Sequence, residues 1–104
     1  MRFVETPIFT KVIERLVSDE DYRLQIALML RPEQGPVIRG GGGLRKVRWA
    51  RPGTGKSGGL RVIYYRAPAE KAFYMLYAYA KNEQGDLTPA QTRGLGQLVR
   101  EEFK

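Results

Sequence analysis

The stretch GGLRKVRWARPGTGKSGGLRVIYYR, residues 42 to 66, decides the fold of this chain. Its middle, from Ala50 to Ser57, matches a relaxed P-loop pattern, in which four residues separate a small residue from Gly-Lys-Ser. A P-loop lies between a strand and a helix, with the phosphate at the helix N-terminus. Here Gly58-Gly59 follows the loop, and the next run, LRVIYYR, has the β-branched and aromatic composition of a strand. The stretch therefore predicts a β-hairpin and not a nucleotide-binding loop.

The two strands of this hairpin are predicted at residues 44 to 51 and at about 60 to 66. The first strand alternates between two faces, with Leu44, Lys46 and Arg48 on one and Arg45, Val47 and Trp49 on the other. Trp49 shares its face with Val47, so we expect it to be a core residue. The glycines of the loop let backbone amides approach a phosphate closely, and that phosphate can belong to RNA.

The rest of the chain predicts helices before and after a small sheet in the order of the sequence. Residues 1 to 5 form a short possible strand, and residues 7 to 31 show helical spacing with two N-terminal signals, which indicates a helix hairpin. Residues 72 to 80 form an aromatic-rich third strand. The run Thr88-Pro89-Ala90-Gln91 supplies an N-cap, a first-turn proline and a capping-box glutamine. The prediction is an α+β fold with an N-terminal helix hairpin, a three- to four-stranded mainly antiparallel sheet and a C-terminal helix, in one domain spanning residues 1–104.

Charge is concentrated in the centre of the chain. The net charge is +7, and no acidic residue occurs between Glu33 and Glu70, an interval that contains eight basic residues. All the acidic residues lie outside this interval, where they offset the remaining basic ones. Such a concentration, interleaved with aromatic residues, is typical of a surface that binds a polyanion, and nucleic acid is the first candidate.

The composition also narrows the chemistry. The chain contains no cysteine and no histidine, so it has neither a disulfide framework nor the commonest metal ligands and general base. No apolar run approaches the roughly 20 residues of a membrane-spanning helix. The N-terminal MRFVETP has no signal-peptide apolar region. We expect a soluble cytoplasmic protein that needs no cofactor or metal.

The segment GGLRKVRWARPGTGKSGGLRVIYYR, the strand FYMLYAYAKNE and the following DLTPAQ resemble toxins of the RelE superfamily, in particular its HigB-like subgroup. The predicted order of elements also matches, so the resemblance covers nearly the whole chain. It implies a toxin of a type II toxin-antitoxin pair, with a RelE/ParE-like fold. Such toxins are endoribonucleases that cleave messenger RNA, usually on the ribosome, and inhibit translation. The implied partners are the ribosome, messenger RNA and a cognate antitoxin protein with a helix-turn-helix DNA-binding domain.

RNA cleavage through the 2′-OH needs a group that removes a proton, a cation that stabilises the phosphorane and a group that protonates the 5′ oxygen. Without histidine, lysine can act as the base when neighbouring cations lower its pKa. In the wider family, basic residues on the first two sheet strands of this region do this work, and Lys46, Arg48 and Arg61 occupy the matching places. Lys56 is a further candidate from the loop.

The residue that protonates the 5′ oxygen is harder to assign, because this chain departs from the best-known members of the superfamily. It has Ala80-Lys81-Asn82 where they carry an arginine after Gly-Lys, and Leu87-Thr88-Pro89 where they carry a tyrosine. Tyr79 or Lys81 could replace these groups. The candidate catalytic set is Lys46, Arg48, Lys56, Arg61, Tyr79 and Lys81, and the candidate RNA-binding set is Arg39, Arg45, Arg51, Arg66 and Asn82.

Two other functions stay open at this point. A sister branch of the same fold poisons DNA gyrase, and a basic sheet with aromatic residues can bind RNA without cutting it. The tyrosines at 64, 65, 74 and 77 are expected to be core or sheet-face residues and not catalysts. Asp86 and Glu83 are expected to be loop or cap residues.

Overall fold

The computed structural model describes residues 2–16, 28, 31–49, 59–81 and 83–103. Its elements are, in chain order, β1 (Arg2–Glu5), α1 (Pro7–Leu16), β2 (Arg45–Trp49), β3 (Leu60–Ala67), a short 3-10 helix (Pro68–Glu70), β4 (Ala72–Ala80) and α2 (Pro89–Phe103). The four described strands form a sheet in the order β1-β4-β3-β2. β3 is antiparallel to both β2 and β4, and β1 is parallel to β4. The predicted α+β class, mainly antiparallel sheet and C-terminal helix are confirmed.

The central hairpin has the predicted order of strand, loop and strand. β2 and β3 pair antiparallel, and Trp49 at the end of β2 faces Leu60 at the start of β3. A strand therefore stands where a P-loop would place its helix, which excludes the P-loop interpretation. The intervening residues 50–58, which include Arg51 and Lys56, lie outside the described part of the chain.

The predicted N-terminal helix hairpin is not seen. The described chain begins with β1 and continues into α1. Thr6 ties the start of this helix to the sheet: its N–H donates to the Met75 carbonyl at 3.0 Å and its Oγ1 to the Leu76 carbonyl at 2.9 Å. Thr6 is also the predicted N-cap, accepting from the Phe9 N–H at 3.1 Å. The second predicted helix falls on residues outside the described ones, apart from Leu28, which is helical and buried.

The start of α2 is capped as predicted. The Thr88 hydroxyl accepts from the Gln91 N–H at 3.1 Å, and the Gln91 side chain accepts from the Thr88 N–H at 3.0 Å. This reciprocal pair is a capping box, and Pro89 occupies the first helical position. The helix therefore begins at a place that local sequence determines.

Each face of the sheet is covered by a separate core. The α1 face buries Phe9, Ile13 and Leu28 against the strand residues Val47, Leu60, Val62, Tyr64, Phe73, Met75, Ala78 and Ala80. The α2 face buries Val99 against Leu44, Ile63, Leu76 and Tyr79. Trp49 packs against the first core, and the tyrosines at 65, 74 and 77 pack against the second, as predicted for these aromatic residues.

Two glycines in α2 have different surroundings. A Cβ built at Gly96 would lie 3.2 Å from the carbonyl carbon and oxygen of Gly41, whereas nothing lies within 4 Å of one built at Gly94. Gly96 thus lets the glycine-rich turn before β2 approach the helix backbone. Gly94 has no such packing role among the described residues.

We predict that Gly94→Ala raises the free energy of unfolding by about 0.5–1 kcal/mol, because alanine loses less conformational entropy in a helix. Gly96→Ala should give no such gain, since its Cβ presses on the Gly41 backbone. Urea unfolding followed by circular dichroism measures both variants under the same conditions. An equal gain for the two would contradict the close approach of the turn to α2.

Candidate functional site

Three polar side chains form a row across the α2 face of the sheet. Arg48 on β2 faces Arg61 on β3, and Arg61 in turn faces Tyr79 on β4. Residues directly opposite in an antiparallel sheet share a face and lie about 5 Å apart. Lys46, two residues before Arg48, lies on the same face, as the predicted alternation of β2 requires. The structure therefore brings four of the predicted catalytic residues together.

A cavity of about 410 Å³ opens beside this row. Its described lining residues are Gln34, Gly35, Pro36, Lys46, Val47, Arg48 and Arg61. Residues 34–36 form one wall. They belong to a segment that runs along β2, where the Lys46 N–H donates to the Pro36 carbonyl and the Ile38 N–H to the Leu44 carbonyl. Three cationic side chains and no carboxylate thus line the described part of the cavity, which suits an anionic ligand.

Arg61 is the buried charge of the site. Only 6% of the residue is exposed, and its Nη1 donates to the Leu60 carbonyl at 3.3 Å. Within the described part of the chain, no carboxylate pairs with it. Burying a cation without an anionic partner costs free energy, so such a group is suited to bind an anion that enters the site.

Asp86 is a site residue that the sequence did not single out as functional. Its Oδ1 accepts from Lys46 Nζ at 3.0 Å, from the Leu87 N–H at 2.8 Å and from the Tyr79 hydroxyl at 3.4 Å. The hydrogen bond from Lys46, followed by that from Leu87, holds the pKa of Asp86 below its usual value. No local pattern marks Asp86, because Lys46 lies far away along the chain.

Tyr79 is placed as a hydrogen-bond donor. It is 3% exposed, and burial, with the charge and hydrogen bond of Asp86, raises its pKa to about 12, although Arg61 opposes this shift. The hydroxyl therefore keeps its proton at neutral pH. It lies next to Arg61 and within reach of Asp86, at the β4 end of the row.

The remaining candidates are placed differently. Lys81 is exposed just beyond β4, and its N–H donates to the Gly59 carbonyl at 3.1 Å, next to the start of β3. Lys56, Arg51 and Asn82 lie outside the described residues. Their assignment to the site stays a prediction.

Two of the predicted RNA-binding arginines support the wall of the cavity. Arg45 donates to the carbonyls of Glu33 and Gly35 at 3.3 and 2.8 Å. Arg66 forms an ion pair with the Glu33 carboxylate at 2.8 Å. Both therefore hold the chain at residues 33–35, at the start of the segment that runs along β2. Arg39 is exposed in the turn that follows this segment.

Residues 1–103 match the family model of the RelE toxin of the RelE / RelB toxin-antitoxin system. The chain belongs to this family. Of the two described helices, neither combines the length and hydrophobicity that crossing a membrane requires.

Asp86→Asn tests the ion pair with Lys46. Near neutral pH the variant should lose less than about 1 kcal/mol of unfolding free energy, because the pair is exposed to water. Folding lowers the pKa of Asp86, so its contribution is present above the unfolded value of about 4 and is lost as the pH falls through the lower folded value.

The free energies of unfolding of the wild type and Asp86→Asn should therefore converge as the pH is lowered from about 7 to about 3. Urea unfolding across this range measures the difference. A gap that stays constant down to the acid end would show that the carboxylate charge is not its cause.

Proposed function

We propose that this protein is the toxin of a type II toxin-antitoxin pair and cleaves messenger RNA on the translating ribosome. Membership of the RelE toxin family supports the toxin assignment. The observation that carries the cleavage proposal is Arg61, a buried cation that has no described carboxylate partner and that lines a cavity with Lys46 and Arg48. A phosphodiester of RNA would supply the missing anion.

The proposed reaction is a transesterification within the RNA. The 2′ oxygen loses its proton to a base and forms a bond to the adjacent phosphorus. The bond from phosphorus to the 5′ oxygen then breaks, and that oxygen takes up a proton. The products are a 2′,3′-cyclic phosphate and a 5′-hydroxyl end, so no cofactor or further reactant is consumed.

The site residues divide these tasks as follows. Arg61 stabilises the phosphorane, since its planar guanidinium can bind two phosphate oxygens at once. Arg48 is exposed at the cavity and holds a flanking phosphate. Lys46 and Lys56 are the two candidates for the base, and Tyr79 and Lys81 are the candidates for the acid. The cations of the chain supply the charge that a metal ion would otherwise provide.

Arg61→Ala should lower the rate of cleavage of ribosome-bound message by about 100- to 1,000-fold, as expected for removing one donor to a developing charge. Arg61→Lys should recover little, because a point charge does not reproduce the two-pronged contact. Primer-extension mapping of the cleaved message gives the rate for each variant.

Lys11→Ala is the matched control, because Lys11 is an exposed cation on α1, on the opposite face of the sheet. Circular dichroism checks that each Arg61 variant is folded, since the side chain is buried. Near-normal cutting by Arg61→Ala together with a dead Lys56→Ala would move the site to the loop.

Induced expression of the chain alone should arrest bacterial growth, and co-expression of its antitoxin should restore it. The proposed antitoxin carries a helix-turn-helix DNA-binding domain, and the proposed site of action is the cytoplasm, where ribosomes translate. Arg61→Lys should arrest growth much less than the wild type, because it should cleave message far more slowly.

Labelled precursors separate the other two functions in the same cells. Loss of amino-acid incorporation before thymidine incorporation is expected for a nuclease that stops translation. Early loss of thymidine incorporation would indicate a gyrase poison. Binding of RNA by purified protein without any cleavage on ribosomes would indicate a non-catalytic module.

A further inference from the structure

Asp86 connects two side chains that come from the strands on either side of β3. Lys46 comes from β2 and Tyr79 from β4, and these strands are separated by β3. Both side chains nevertheless donate to the same oxygen of Asp86, at 3.0 and 3.4 Å. The Leu87 N–H, at 2.8 Å, anchors that oxygen to the chain that leads into α2. A single carboxylate therefore sets where Lys46 stands relative to Arg61.

We propose that Asp86 is a positioning residue that holds Lys46 Nζ beside the reacting phosphate, so that Lys46 is the acid of the reaction and not its base. This inference rests on the proposed cleavage of RNA. It assigns a role to Asp86 and chooses between the roles that the residue types alone leave open for Lys46.

The direction of the hydrogen bond favours the acid role. Lys46 Nζ donates to Asp86, whereas a base needs a free lone pair on that nitrogen to take a proton. The ammonium has three N–H donors, and the contact with Asp86 uses one of them. The other two can reach a phosphate oxygen or the leaving oxygen, because Lys46 also lines the cavity with Arg61.

The step balances without a further reactant. As the bond from phosphorus to the 5′ oxygen breaks, its electron pair passes to that oxygen, which takes a proton from Lys46 Nζ. Lys46 is left as a neutral amine, and a base other than Lys46 holds the proton from the 2′-OH. Lys46 then takes up a proton from water and the base releases one, so that the protein is returned to its starting state.

Tyr79 fits a supporting role better than the acid role. Its hydroxyl is buried, and its one proton is already directed at Asp86. Among the described charged groups, Lys46 of β2 donates to Asp86, Arg61 of β3 acts on Tyr79, and Arg39 lines a pocket that Asp86 also lines. Of these, Lys46 is the one in direct contact with the carboxylate.

Asp86→Asn tests the positioning role with little change in shape. The amide oxygen can still accept from the Leu87 N–H, but the charge that holds Lys46 is lost. Glu83→Gln is the matched control, because Glu83 lies on the same loop and pairs with Arg15 of α1 at 3.3 Å, away from the row. Asp86→Asn should lower kcat by about 10- to 100-fold and change KM by less than about twofold. Cleavage by Asp86→Asn at the rate of Glu83→Gln would overturn the proposal.

A substrate with sulfur in place of the bridging 5′ oxygen tests the acid role directly. A thiolate leaves without being protonated, so Lys46→Ala and Asp86→Asn should regain most of the wild-type rate on this substrate. Arg61→Ala should stay slow on both substrates, because it acts on the phosphorane. A Lys46→Ala defect of equal size on the oxygen and sulfur substrates would overturn the assignment of Lys46 as the acid.

A titration independent of cleavage checks the contact itself. Nuclear magnetic resonance of labelled tyrosine, with Tyr79→Phe to assign the signal, should show a lower Tyr79 pKa in Asp86→Asn than in the wild type or Glu83→Gln. An unchanged Tyr79 pKa would overturn the three-way contact. If the wild-type protein cleaves neither substrate, the proposed function is overturned, and the role of Lys46 as the acid falls with it. The titration then still decides whether Asp86 holds Tyr79.

Discussion

The pairing of β3 with a strand on each of its edges determines where the charged groups of the site stand. Arg61 faces Arg48 on one side and Tyr79 on the other. Because a side chain changes face with every residue along a strand, this register alone decides that Arg61 points to the α2 face. Hydrogen bonds on both edges hold that register, so the central guanidinium is placed more rigidly than any group on a loop could be.

The concentration of positive charge on this face has a cost, and the rest of the fold offsets it. Lys46, Arg48 and Arg61 repel one another, and Arg61 is also buried. The two apolar cores on either side of the sheet supply the stability that this arrangement lacks. Asp86 relieves part of the repulsion at Lys46 and leaves Arg61 without a described carboxylate partner. Of these three cations, Arg61 would therefore be stabilised most by an anion that binds in the cavity.

Much of the fold could be predicted from local sequence, because the signals that start and stop elements act over a few residues. Thr88 and Gln91 form the capping box that their spacing predicts, and Thr6 caps α1. Gly58-Gly59 and the β-branched run that follows predicted a hairpin in place of a P-loop. The antiparallel pairing of β2 with β3 confirms this prediction. The predicted helix hairpin is not seen: its first helix is α1, and its second falls on residues outside the described ones, apart from the helical Leu28.

By itself, the sequence determined the class of fold, the family and the strand residues that carry the basic face, because alternation and charge can be followed along the chain one residue at a time. Only the tertiary structure decided which of those residues meet. In the structure, Arg45 and Arg66 support the cavity wall, and Gly96 lies against the Gly41 backbone. Asp86 accepts a hydrogen bond from Lys46. Such contacts depend on how the sheet, the loops and α2 pack together, and nothing in the residues next to Asp86 indicates that its partner is on β2.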